Sequence, residues 1–187
     1  MTWKAYHSRG ETLRAVIAAS AVRRDGLLPM DVDGVTETFA DELDLLGALT
    51  LKWHTRLAGQ IEAMLAHQPM NLDEAVAIAW SNTAHLLPGV RLILDHYRDE
   101  PTSDAMARAM RAATAKERHL LAVNAGRASI SGEGARRVGA VLEERARELH
   151  RELPPIAPDV AFADPADAVE PQPRGSLLER LRAFVAA

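Results

Sequence analysis

Between residues 9 and 153, apolar positions return every three or four residues, the spacing that gives a helix one buried face. Leu13, Val16, Ile17 and Ser20 share a face over 9–24. Ser8 and Glu11 have capping-box spacing at its start, and Asp25-Gly26 is its stop. In the loop DGLLPMD that follows, the two leucines are expected to fold inward. The longest periodic run begins at Asp33 or Val35 and reaches His67. Val35, Phe39, Leu43, Leu46, Trp53, Leu57, Ile61 and Met64 form its stripe, with Glu37, Asp41, Asp44, Lys52 and Glu62 opposite. No proline lies inside it, so the pattern predicts one helix of roughly 45–50 Å. Gly47 and Gly59 are the places where it could kink.

A third helix opens at Asn71, with Glu74 three residues on. Leu72, Val76, Ala79, Thr83 and Leu86 mark its inner face. Pro88-Gly89 then interrupts the pattern, because proline lacks the amide donor and clashes with the turn before it. VRLILDHYR is therefore a new short helix or a sharply kinked continuation, burying Val90, Ile93, Leu94 and Tyr97. The fourth principal helix follows Glu100-Pro101, is capped by Thr102 or Ser103, and ends near Ala125-Gly126. The fifth starts near Ser131, buries Val138, Leu142, Leu149 and Leu153, and stops at Pro154-Pro155.

The pattern changes after that. Residues 154–175 are rich in proline and acid with little periodic apolar content, which predicts an extended linker. Residues 176–187, SLLERLRAFVAA, place Leu177, Leu178, Leu181 and Phe184 on one side of a short helix capped by Ser176. The expected fold is all-α: an irregular antiparallel bundle of about five main helices over 1–153, the linker, and the tail helix.

Composition supports this. Hydrophobic residues make up 48% of the 187 residues, charged residues 26% and aromatics 4%, a globular profile that favours helix over strand. The net charge of −4 argues against a dedicated nucleic-acid binder. Without cysteine there is no disulfide framework, thiolate chemistry or Cys-based zinc site. The start, MTWKAYHSRGETLR, is polar and unlike a secretory signal, and the apolar stretch AVIAASAV is too short to span a bilayer. A cytoplasmic protein without a membrane segment is the expectation.

The candidate chemistry begins at Glu117, which projects among Met106, Met110, Ala113, Leu120 and Leu121 on the side that should be buried. His54 lies near the apolar stripe of the longest run. If the two helices face each other, these groups form an acid–base pair or a pocket, with Glu42, Trp80, Asn82 and Asn124 as neighbours. The alternative is that each is satisfied separately by backbone, water or an arginine. A di-iron bundle needs Glu-x-x-His on two helices, and it is absent: Leu120 follows Glu117 and Leu45 follows Glu42 at that spacing. No His-x-x-x-His, P-loop, dinucleotide fingerprint or nucleophile elbow occurs, so no metal or cofactor is expected. SGEG at 131–134 reads as a capped helix start rather than an anion site. Arg108, Arg111, Arg118 and His119 are assigned to the outward side of the fourth helix, as a solvated face or a phosphate-tracking patch.

Two functions fit. The first is a non-enzymatic interaction or regulatory protein that meets a protein partner, or a second copy of itself, through helix surfaces and the tail. Leu177, Leu178, Leu181 and Phe184 would be its docking residues. The second is a small-ligand-binding or catalytic bundle with an interior polar pocket around His54 and Glu117.

Overall fold

The structure is a computed structural model and describes residues 3–67, 69–129 and 132–152. Seven helices follow in chain order: α1 (Trp3–Arg23), α2 (Val35–Thr38), α3 (Glu42–Ala66), α4 (Leu72–Leu86), α5 (Pro88–Asp99), α6 (Asp104–Asn124) and α7 (Glu133–Glu152). No strand occurs among the described residues, and the helices pack against one another as an all-α bundle. All of them lie within the unit Met1–Pro155. The linker and the tail helix lie outside the described residues.

α1 starts at Trp3, so Ser8 and Glu11 lie inside a helix and do not cap its start. An S-x-x-E spacing has a capping function only where the first-turn amides are unpaired. The helix ends at Arg23. Arg24 takes a left-handed conformation with φ of 50°, and its amide donates to the Ser20 carbonyl. In the loop that follows, Leu28 is buried but Leu27 is half exposed.

The long second helix is two helices. α2 is one turn, Phe39 is extended, and Asp41 restarts the chain by accepting the Asp44 amide at 2.8 Å. The break follows from Asp41, whose side chain competes for backbone donors and favours a cap over a helix interior. Apolar spacing alone does not register it, because Val35 and Phe39 before the restart at Asp41 and Leu45 and Leu46 after it all stay buried. α3 has 25 residues, roughly 37 Å, and passes through Gly47 and Gly59 as one helix.

α4 is capped by Asn71, which accepts the Glu74 amide at 3.2 Å. Its inward stripe is Val76, Ala79, Trp80, Thr83 and Ala84, whereas Leu72 and Leu86 at its two ends are exposed. Pro88 is the first residue of α5, where its missing donor costs nothing. Ser103 caps α6 by accepting the Met106 amide.

Two crossings are glycine-dependent. A Cβ on Gly89 would collide with the Ser20 backbone, and one on Gly139 with the Arg118 carbonyl. α5 thus lies directly on α1, and α7 directly on α6. The core behind these contacts is built on Trp53, Trp80, Leu49, Leu57, Ile93 and Leu121, each essentially inaccessible to solvent. Burying a side chain of that size contributes about 1.5–3 kcal/mol.

Candidate functional site

Glu117 sits on the core face of α6 and is 6% exposed. The Trp80 indole donates to its Oε1 at 2.7 Å, and the Trp53 indole to its Oε2 at 3.0 Å. Arg91 Nη1 lies 3.4 Å from both oxygens, and His54 Nε2 lies 3.7 Å from Oε2. Four helices therefore converge on one carboxylate: α3 brings Trp53 and His54, α4 Trp80, α5 Arg91, and α6 the acid. The two indoles meet edge to face at 5.5 Å, and the Arg91 guanidinium stands over the Trp53 ring at 4.6 Å. This is cation–π geometry in a desolvated setting.

Desolvation is the largest influence on Glu117 and pushes its pKa up. The Arg91 charge, the His54 and Trp80 contacts and the His54 charge together outweigh it and hold the pKa at about 2. A carboxylate held this way stays ionised at neutral pH and is a poor proton acceptor. Its role is electrostatic: it neutralises Arg91 and gives two buried indole donors their acceptor.

Arg91 extends the cluster. Its Nη2 pairs with Asp95 at 2.9 Å, one turn along α5. Asp95 is held from the other side by Arg147, at 2.7 and 2.9 Å. Burial pushes the Asp95 pKa up, but Arg147, Arg91 and Arg98 hold it below the ordinary carboxylate range. Arg147 also reaches Glu143 at 2.8 Å, and Glu143 accepts Arg118 at 2.9 Å and Arg98 at 3.2 Å. Charges of alternating sign thus run from Glu117 through Arg91, Asp95 and Arg147 to Glu143. On the other side of Trp80, the His150 ring stands 6.4 Å away and 4.1 Å from that of His85. Burial, then the charge of His85, lowers the His150 pKa.

His54 is where the α3 end of the cluster reaches the surface; 21% of its side chain is exposed. It ends a groove of about 280 Å³ between α3 and α6. Leu43, Leu46, Gly47, Thr50 and Leu51 form one wall, and Ala109, Met110, Ala112 and Ala113 the other, with Lys116 at the lip.

Of the residues singled out from sequence, His54, Glu117 and Trp80 come together. Glu42 does not: it is exposed at the start of α3, roughly 18 Å along the helix from His54. Asn124 donates to the Leu120 carbonyl of its own helix at 2.9 Å, and its side chain is not a partner of Glu117. Arg118 is not on an outward face; it is half-buried against Glu143 on α7. Leu177, Leu178, Leu181 and Phe184 lie outside the described residues. Among the described residues no group of three or more His, Asp or Glu side chains could hold a metal ion, and no helix is long and apolar enough to cross a membrane.

Sequence reasoning missed Arg91, the strongest partner of Glu117. Arg91 falls between buried residues of α5, and the i,i+4 spacing to Asp95 was the available signal for an inward ion pair. The stripe puts Trp53 in the core, but the pattern within one helix does not match its N–H to an acceptor on another helix, the buried Glu117. No family model matches this chain, and neither does any curated protein or solved structure.

Proposed function

We propose that this chain is a non-catalytic, small-ligand-binding helical bundle whose site is the α3–α6 groove. The carrying observation is the groove itself: apolar walls, about 280 Å³ of space, and His54 at its inner end. That volume is just below the range of ligand pockets, roughly 300–1,000 Å³, and so suits a small ligand; such pockets pair apolar linings with few polar anchors. The basic side chains that line it are His54 and Lys116, near one another beside Glu117, so the fitting ligand has an apolar body and one anionic head. Glu117 supports a binding role over a catalytic one, because its oxygens are engaged by Arg91 and two indoles.

Gly47 makes the reading testable. A side chain there meets nothing within 4 Å, so leucine at 47 occupies the groove and leaves the core alone. With 8-anilinonaphthalene-1-sulfonate as an apolar anionic probe, the natural protein is expected to bind, and decanoate to displace the probe. Gly47→Leu is expected to weaken the probe at least about tenfold with unchanged helix content by circular dichroism. Binding that Gly47→Leu leaves intact would overturn the assignment.

A second reading keeps a protein partner. Leu51 borders the groove with 68% of its surface exposed, so an apolar strip continues outward and would suit a partner helix. Leu51→Ser separates the two: it should impair capture of an amphipathic helix far more than decanoate binding.

A further inference from the structure

The far end of the charged network opens into a second cleft, of about 450 Å³, bounded by Arg98 on α5, Arg111, Thr114, Ala115 and Arg118 on α6, and Arg136 on α7. Four of its six lining residues are arginines, contributed by three helices. Ordinary charge pairing accounts for some of them. Arg98 reaches Asp99, Asp95 and Glu143, and Arg136 pairs with Glu133 on its own helix. Arg111 makes no ion pair or hydrogen bond with any described residue.

The cleft is also built from behind. Glu143 is 4% exposed and lies under the arginines, accepting Arg118 Nε at 2.9 Å and Arg98 Nη1 at 3.2 Å. Engaging Arg118 through Nε fixes the plane of its guanidinium and leaves its terminal nitrogens for another acceptor. The same carboxylate is shared with Arg147 and Arg98, which also pair with Asp95, whereas Arg118 has Glu143 as its one carboxylate partner among the described residues. Gly139 lets α7 lie against the Arg118 backbone, which holds the α7 wall close to α6. Guanidinium forks held in a fixed arrangement match the geometry of phosphate oxygens, each fork giving two parallel charge-assisted bonds.

We propose that this cleft is an anion-binding site for a phosphate-bearing small molecule with two or more negative charges. Arg111 and Arg118 are the principal contacts, and Thr114 supplies a hydroxyl. The site is separate from the α3–α6 groove: the two sets of lining residues share no member, and they lie on different sides of α6. Its volume exceeds the need of a single phosphate and falls within the range of small-molecule sites.

Titration calorimetry of the full chain with inorganic pyrophosphate at low salt tests this. The natural protein is expected to bind one equivalent, with affinity falling as salt rises. Arg111→Gln is expected to weaken binding at least about tenfold. It breaks no pair with a described residue, so the thermal midpoint should not move. Arg108→Gln, on the exposed side of α6 outside the cleft, is the control and should leave affinity within about twofold. Absence of binding to the natural protein at millimolar pyrophosphate would overturn the proposal. So would equal losses in Arg108→Gln and Arg111→Gln, which would mean attraction to net positive charge without a site.

Discussion

Glu117→Gln is expected to lower the unfolding free energy by about 3–5 kcal/mol, the cost of removing one partner from a buried ion pair. The substitution keeps the size of the side chain and changes what its neighbours meet. Arg91, with 9% of its side chain exposed, loses the negative charge at 3.4 Å. The two indoles donate to different oxygens, so an amide forces one of them to face an N–H group. Asp95 still holds Arg91 from the other side, which places the expected loss toward the lower bound. Equilibrium urea unfolding measures it. Arg91→Met in the Glu117→Gln background should cost less than the sum of the single changes, because the charge left buried by the first is removed by the second. A single-variant loss below about 1 kcal/mol would mean that the cluster is merely tolerated.

The second large effect is at Gly139. Valine there would drive a Cβ into the Arg118 carbonyl, and that neighbour is backbone, unable to swing away as a side chain would. α7 must separate from α6, which loosens Leu142, Ala146 and Leu149 together. The expected loss is about 3 kcal/mol, at the upper end for overpacking. For a chain of this size that is a fall of roughly 6–12 °C in thermal midpoint. Gly134→Ala, near the start of the same helix with nothing within 4 Å, is the control. It should be neutral or stabilising by about 0.5–1 kcal/mol, the difference in helix propensity. Similar midpoints for the two variants would show that α7 is not seated against α6.

Much of this was legible in the sequence. The 3.6-residue period marks α3, α4, α6 and α7; Asn71 marks a helix start that the structure retains, Ser103 is the one of the two cap candidates that caps α6, and the interruption at Pro88-Gly89 is itself the first turn of α5. The misplaced boundaries are those where a local signal has two meanings. Ser8-x-x-Glu11 reads as a cap, but the helix already exists at Trp3. Asp41 reads as a polar residue on a helix face, but its carboxylate caps a new helix. The site divides in the same way. An acid within an apolar stripe is visible in one helix, so Glu117 stood out. Its partners come from three other helices, and their meeting depends on crossing angles that no single-helix projection contains. Arg91 was hidden for that reason, and the cleft at Arg111 and Arg118 more so, since its arginines are spread from residue 98 to residue 136.

The ionisation of Glu117 is the most direct measure of the buried cluster. In the unfolded chain this carboxyl has the ordinary value of 4.5, and in the folded protein about 2. A lowered folded pKa means that the unfolded chain binds the proton more readily. The stability that Glu117 contributes is therefore fully present above pH 4.5 and is lost as pH falls toward about 2. Over that interval it amounts to about 3 kcal/mol, at about 1.4 kcal/mol per unit. The decisive measurement is a carbon-13 NMR titration of the Glu117 side-chain carboxyl from neutral to acid pH. The expected result is a resonance that stays at the carboxylate position while the protein is folded, moving near pH 2 or with acid unfolding. A midpoint at 4.5 or above in the folded protein would contradict the charge assignment on which Arg91, both indoles and His54 depend.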